Sequence, residues 1–379
     1  MNKIEELIEQ YCPDEVEYKD LGEVLDYEQP TKYLVESTKY HKDHKTPVLT
    51  AGQTFILGYT EETEGIYEAS KENPVIIFDD FTTSFHWVDF KFKVKSSAMK
   101  MLRPKKGSGI IFRFIYFAMK CLEYNPQDHA RQWISVYSKF HVPIPPLPVQ
   151  EEIVRILDKF TELEAELEAE LEARKKQYEF YRNKLLTPVE ENGKWMMNGE
   201  EVECHKLGKI VDIQRGVRVV RSQLLETGKY PVYQNSMKPL GYFDKKNYKA
   251  NTTFIISAGA AGDVGYSNID FWAADDCFLC LCPNNLKSKY LYYLLINNQT
   301  YLYSRVRRAS VPRLSREVVE KIKVYFPSLK EQERIVSILD KFDSLVNDIS
   351  IGLPAEIEAR RKQYEYYRGI LLDFKPISN

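Results

Sequence analysis

Apolar residues recur at mostly three- and four-residue steps along the middle of the chain: Ile153, Leu157, Phe160, Leu163, Leu167, Leu171, Tyr178, Tyr181 and Leu185, with Glu and Lys between them. That spacing is one stripe of an α-helix. No Gly or Pro falls between Val149 and Thr187, while Pro143, Pro145, Pro146 and Pro148 precede the stretch and Pro188 follows it. One helix of about 38 residues, ~57 Å long, is therefore predicted. A second helix opens at Ser328, with Glu331 at capping-box spacing, and Gly352-Leu353-Pro354 is expected to kink or briefly break it. Elsewhere the pattern is mixed. Val75–Phe78 and Thr253–Ile256 read as buried strands, Phe90–Lys95 alternates apolar residues with lysines, and Ile110–Leu122 and Tyr290–Asn297 suit amphipathic helices.

The two helical stretches are copies of each other. Ile153-Val154-Arg155-Ile156-Leu157-Asp158-Lys159-Phe160 returns 182 residues later as Ile335-Val336-Ser337-Ile338-Leu339-Asp340-Lys341-Phe342. Glu172-Ala173-Arg174-Lys175-Lys176-Gln177-Tyr178-Glu179-Phe180-Tyr181-Arg182 returns 186 residues later from Glu358 to Arg368, so the second copy holds four extra residues. Weaker echoes pair Leu21-Gly22-Glu23-Val24 with Leu207-Gly208-Lys209-Ile210, Pro47-Val48 with Pro231-Val232, and Gly58-Tyr59 with Gly241-Tyr242. The chain reads as a tandem duplication with diverged globular segments. Each helix carries one apolar stripe and needs a partner, and its duplicate is the obvious one. The expected fold class is mixed α/β, two globular domains with two long helices. The boundaries read 1–147, 148–187, 188–326 and 327–375. Within the first helix Leu163-Glu164-Ala165-Glu166 is repeated directly as Leu167–Glu170 and, with a final change, as Leu171–Arg174.

Charge changes the picture. The formal net charge is −2, but residues 1–28 carry −8 and residues 151–172 carry −7, which leaves +13 on the other 329 residues. The globular part is basic, as a nucleic-acid binder would be. Three clusters stand out. Lys91, Lys93, Lys95, Lys100, Arg103, Lys105, Lys106 and Arg113 occur without an intervening acid. Lys206, Lys209, Arg215, Arg218 and Arg221 oppose only Asp212, and Arg305, Arg307, Arg308, Arg313 and Arg316 stand in an acid-free stretch. Mixed with Tyr, Ser, Asn and Gln, such clusters suit phosphate contact and base-edge reading. An edge strand protected by lysines would give the same pattern at 90–95. The six cysteines are too sparse for a disulfide scaffold, the N-terminus lacks a signal peptide's apolar core, and the longest apolar run is too short for a bilayer. These features lead us to expect a soluble, cytoplasmic protein.

Catalytic motifs are harder to find. Cys277-Phe278-Leu279-Cys280 contains a CxxC, but no second pair or nearby histidine completes a zinc site. Ser257-Ala258-Gly259-Ala260-Ala261-Gly262-Asp263 lacks the Lys-Ser/Thr of a P-loop and reads as a turn beside a DNA contact. Asp14 and Glu17 are too close to sit on separate strands of a nuclease site. Asn73-Pro74-Val75 and Asn125-Pro126-Gln127 each lack the second proline of an Asn-Pro-Pro-aromatic motif. The six histidines form no pair at metal or triad spacing.

The paired motifs from Gln150 and Glu331, with the Arg-Lys-Lys-Gln-Tyr run at Arg174 and its copy at Arg360, resemble those of the specificity subunits of type I restriction-modification systems. Lys93–Lys100 also looks like one subclass of that family's first recognition domain. The resemblance implies two target-recognition domains held apart by antiparallel helices with pseudo-twofold symmetry. It further implies an asymmetric bipartite double-stranded DNA target, two methyltransferase subunits and two restriction subunits. S-adenosylmethionine and ATP would belong to those partners, and this chain would hold no cofactor or metal and have no catalytic residue. DNA contact is expected from Lys91, Lys93, Lys95, Lys100, Lys105, Lys106, Arg215, Arg218, Arg221, Arg305, Arg307 and Arg308. Arg174, Tyr178, Tyr181, Arg360, Tyr364 and Tyr367, present in both copies, are the expected partner-binding residues; the tyrosines filling the helical seam is the alternative. A coiled-coil scaffold would explain the helices but not the segregated charge. A specificity subunit of a related system without motor subunits remains the other reading.

Overall fold

In the computed structural model, which describes residues 3–13, 15–52, 54–127 and 130–377, the long central helix is shared between two units, Met1–Glu166 with Ile357–Asn379 and Leu167–Glu356. Asp14 lies outside the described residues.

The strands of the first unit are β1 (Tyr18–Asp20), β2 (Leu25–Glu28), β3 (Thr46–Leu49), β4 (Ile56–Thr60), β5 (Val75–Asp79), β6 (Phe85–Val88), β7 (Lys93–Val94), β8 (Met99–Pro104) and β9 (His141–Pro143). They form an antiparallel sheet in the order β2-β8-β5-β6, a second sheet β4-β3-β7 and a short ladder β1-β9. The helices are α1 (Lys3–Tyr11), α2 (Leu21–Val24), α3 (Phe112–Met119), α4 (Gln132–Ser135) and the start of α5 (Leu147–Leu186). Strand alternation sorts the core into layers. Ile76, Phe78 and Leu102 pack on α3 and on Ile153 and Leu157 of α5, whereas Val75, Ile77 and Met101 face the second sheet through Leu49, Phe92 and Val94.

The second unit repeats this plan strand for strand. After a hairpin of β10 (Val189–Glu191), β11 (Lys194–Met197) and β12 (Glu200–Glu201) come β13 (His205–Lys206), β14 (Asp212–Arg215), β15 (Tyr230–Tyr233), β16 (Gly241–Phe243), β17 (Thr252–Ile256), β18 (Val264–Ser267), β19 (Trp272–Ala273), β20 (Cys277–Leu281) and β21 (Lys323–Val324). The sheets run β14-β20-β17-β18, β16-β15-β19 and β13-β21, each the counterpart of one in the first unit. The helices are α6 (Leu207–Ile210), α7 (Ser288–Asn297), α8 (Gln299–Ser304), α9 (Arg316–Glu320) and α10 (Leu329–Asn347). The weak echoes in the sequence fall on matching elements: α2 with α6, β3 with β15, β4 with β16. At Gly208 a Cβ would lie 2.7 Å from the Glu320 Cβ, so the Leu-Gly echo marks a close approach of α6 to α9.

The 40-residue α5 matches the predicted helix. Ser328 caps α10 by accepting from the Glu331 N–H, as its spacing foretold. The four extra residues sit in a break at 348–352, where Asp348 accepts the Ser350 and Ile351 N–H groups before α11 (Leu353–Leu371) begins. In the first unit α5 and α11 run antiparallel, because Phe160 packs on Tyr364 and Tyr367 while Glu164 pairs with Arg361 at 2.5 Å. In the second unit Phe342 of α10 stacks on Tyr178 and Tyr181 of α5. Each unit thus joins the Asp-Lys-Phe motif of one copy to the tyrosines of the other. No helix among the described residues is long and apolar enough to cross a membrane.

Candidate nucleic-acid interface

The alternation at 90–95 does not make a lysine-faced strand. Only Lys93 and Val94 are in strand, and Phe92, Lys93 and Val94 are all buried. Lys93, 4% exposed, pairs with Glu62 at 2.7 Å and donates to the Glu64 carbonyl at 2.8 Å. Lys100, 1% exposed, faces Asp80 at 3.4 Å and lies over the Tyr27 ring. Both ammonium groups are satisfied inside the fold, because burial of a charge is tolerated only with a partner. They are removed from the expected contact surface.

The remaining bases of the first unit are scattered. Lys91 is exposed but paired with Glu68 at 2.5 Å. Lys95 is exposed directly after β7, whereas Lys105 and Lys106 directly follow the end of β8. The Lys105 ammonium donates to the Gly22 carbonyl at 2.6 Å. Arg103 packs over the Tyr67 ring, and Arg113 pairs with Asp158 on α5 at 2.7 Å.

The second unit brings its arginines together. Arg218 and Arg221 line a crevice of about 260 Å³ with Val219, Val220, Gln234, Asn235 and Leu240. The Asn235 carbonyl accepts from the Ala260 N–H at 2.9 Å, and the Gly259 N–H in the same turn donates to the Pro312 carbonyl at 3.1 Å. Pro312 lies in a loop closed by backbone bonds between Arg307 and Arg313. The glycine-containing turn therefore links Asn235, in the crevice of Arg218 and Arg221, to Pro312, in the loop of Arg307 and Arg313. Arg218, Arg221, Arg307, Arg308 and Arg313 are exposed, and none forms an ion pair with a carboxylate among the described residues. Arg305 lies over the Tyr301 ring, and Arg215 donates to the Asp275 carbonyl at 2.6 Å. Asp263 accepts from Tyr303 at 2.7 Å, and burial, then this hydrogen bond, pushes the Tyr303 hydroxyl up to about 12.

Counting back 182 residues from Arg313 gives Arg131, which the sequence reading passed over. It is exposed, and the next residue's N–H binds the Asp80 carbonyl at 2.8 Å, as the residue after Arg313 binds the Ser257 carbonyl at 2.8 Å. The repeat offset was the signal that could have found it.

The CxxC cysteines cannot share an ion. Three residues apart on β20, Cys277 and Cys280 face opposite sides of the sheet and belong to different cores. Burial pushes the Cys277 thiol up to about 12, and it donates to the Tyr233 and Gln234 carbonyls.

The residues expected to bind a partner split into two groups. Tyr178 is buried against Phe342, and Tyr364 packs between Phe117 and Phe160. Tyr181 and Tyr367 are exposed at their outer edges, as are their neighbours Phe180 and Tyr366, at 60% and 64%. Arg174 and Arg360 each donate to a glutamine three residues on, Gln177 and Gln363.

Two glutamines of the repeated motif, Gln150 and Gln332, are buried. Gln150 accepts the Ile111 N–H at 2.9 Å and donates to the Pro145 carbonyl at 2.7 Å. Gln332 accepts the Lys287 N–H at 2.8 Å and donates to the Pro327 carbonyl at 2.9 Å. Each fastens the start of α3 or α7 to the start of the long helix beside it.

A family profile described as "Type I restriction modification DNA specificity domain" matches residues 13–173 and again 199–359. The chain is 41% identical over 394 residues to the specificity subunit of the type I restriction enzyme EcoR124I/EcoR124II of Escherichia coli, covering 95% of each. A crystal structure of the S subunit of a type I restriction-modification system from M. genitalium superposes with a TM-score of 0.65 at 18% identity, over 94% of this chain and 96% of that one. A chain from a study of complex assembly and conformational transition of the type I R-M system gives 0.54 at 16% identity, over 95% and 98%. These structures share the fold.

Proposed function

Because the chain belongs to the type I restriction-modification DNA specificity family and is a specificity subunit of such a system, we propose that each unit reads one half of an asymmetric, bipartite double-stranded DNA target. The observation that carries this is the pairing of one sheet plan with unlike surfaces. Both units set an arginine, Arg131 or Arg313, beside the turn after β5 or β17, yet only the second bonds that residue to another arginine, Arg307, and lines the crevice beside Asn235 with Arg218 and Arg221. Shared backbone with different side chains suits two readers of different sequences. The chain itself is non-catalytic in this reading and acts in the cytoplasm. It directs two methyltransferase subunits, which bring S-adenosylmethionine, and two ATP-using restriction subunits.

The duplicated stems support two equivalent docking surfaces for the methyltransferase. Tyr178 and Tyr364 hold the stems together, so docking falls to the outward Phe180 and Tyr181 in one unit and Tyr366 and Tyr367 in the other, flanked by Arg174 and Arg360. Exposed aromatic pairs with arginine are what interface cores favour.

The test is methyl transfer by the purified chain, its methyltransferase partner and the two together, followed by mapping of the methylated sequence. The expected result is activity only in the mixture, at one bipartite sequence. Methyl transfer by the isolated chain, or a target of a single uninterrupted sequence, would overturn the reading.

A further inference from the structure

We infer that Asn235, with Gln234 beside it, is a base-reading residue of the second unit and recognises an adenine edge in the major groove; the inference rests on the reading of this unit as a DNA reader. The two amides follow β15 in the crevice that Arg218 and Arg221 also line. Their main chain is pinned from below. The Tyr233 carbonyl accepts from the Ala274 N–H at 2.8 Å, the Gln234 carbonyl from the Cys277 thiol at 3.4 Å, and the Asn235 carbonyl from the Ala260 N–H at 2.9 Å. Gly259, at φ +84°, allows that last bond: a Cβ there would stand 2.8 Å from the Asn235 oxygen.

Above this anchored backbone the side chains are uncommitted. Asn235 is exposed, and its amide makes no hydrogen bond among the described residues. The Gln234 amide nitrogen reaches the Asp276 carboxylate only at 3.5 Å. An asparagine kept for turn formation would bond its own neighbouring backbone. Asn235 does not. A carboxamide held on a rigid base offers one donor and one acceptor, the pair that adenine N7 and N6 require, and little conformational freedom is lost on binding. The flanking Arg218 and Arg221 supply attraction to the phosphates.

The first unit serves as an internal comparison. Val232 of β15 and Val48 of β3 occupy the same place in their parallel ladders with β19 and β7, so Asn235 corresponds to Ala51. The anchor is retained there, since the Ala51 carbonyl accepts from the Ser84 hydroxyl at 2.6 Å. The amide is not. A residue required by the fold would appear in both units, whereas one that reads a base need appear in only one.

The experiment uses the full chain assembled with its methyltransferase partner, and measures binding to DNA carrying each base at each target position. N235A should lower discrimination at one adenine position of one half-site by about tenfold to a hundredfold. The other half-site, the thermal midpoint and the salt slope should stay as in the parent. N235D, which can only accept hydrogen bonds, should reject adenine there and favour cytosine. An unchanged specificity in N235A, or an equal weakening on all sequences, would overturn the inference. If the parent complex itself shows no sequence preference, the specificity reading fails first and takes this inference with it.

Discussion

Replacing Gln150 by alanine leaves the Ile111 N–H and the Pro145 carbonyl without their partner inside the first unit. Unsatisfied buried groups cost about 1–3 kcal/mol. Q150A should therefore reduce hydrogen-exchange protection across α3 and leave α7 unchanged, and Q332A should do the reverse. Glu152 makes a pH-dependent case. Hydrogen bonds from Arg155, then Lys3, hold its carboxyl down at about 2. Its ionised form thus stabilises the fold above the ordinary value of 4.5, and that contribution is lost as the pH falls through about 2. E152Q should cost about 1 kcal/mol at neutral pH, and the cost should shrink as the pH falls below 4.5 and vanish only well below about 2. Urea unfolding at several pH values checks this, and a pH-independent difference would assign the effect to packing. Neither glutamine was legible in the sequence, since polar residues in a helix normally face water and only tertiary contact turns these inward. Lys93 and Lys100 misled for the same reason: Glu62, Asp80 and Tyr27, which bury them, lie far away along the chain.

At the scale of elements, α5 was legible to within a residue or two, because apolar period, flanking prolines and a second copy all agreed. The break at 348–352 was equally plain from Gly352, Pro354 and the change of offset. The strand pairings were not, since short strands such as β7 and β19 owe their existence to neighbours distant in sequence. The Leu-Glu-Ala-Glu repeat spans 163–174, and the division between the units falls between two of its copies, at 166 and 167. One more copy would advance the helix by ~6 Å and turn it by about 400°, returning its leucine to nearly the same face. We expect such an insertion to widen the unread gap of the DNA target by one or two base pairs, at about 3.4 Å each, with both half-sites unchanged. Methylation mapping of the variant reads the gap directly, and an unaltered gap would show that this helix does not set it.

For the whole molecule, the strand-for-strand repeat makes each globular part exchangeable. The β13-β21 ladder closes the second one at residues 205–206 and 323–324, and the Phe342 stack with Tyr178 and Tyr181 lies outside that stretch of chain. Replacing 205–320 with the matching segment of a relative should change one half-site and keep the other. A change in both would contradict independent reading. The duplication was legible from the helices, with weak echoes in the globular segments. The topology those segments share was not, because a sheet constrains burial and register far more than residue identity.

The first unit is discontinuous, and this bears on how the protein is made. Leu371 and Leu372 belong to its core, Phe374 packs on that core, the Tyr18 hydroxyl bonds to the Phe374 carbonyl, and Val16 pairs with Pro376. The second unit is a single run, Leu167–Glu356. Ribosomes add about 5–20 residues per second. The core that Leu371 and Leu372 complete must therefore wait about 10–40 s after Glu166 for Ile357 and the residues after it. The portion translated first is finished second. During that interval its apolar stem face is bare, so cellular chaperones should be found on nascent chains shorter than about 370 residues and be released soon after.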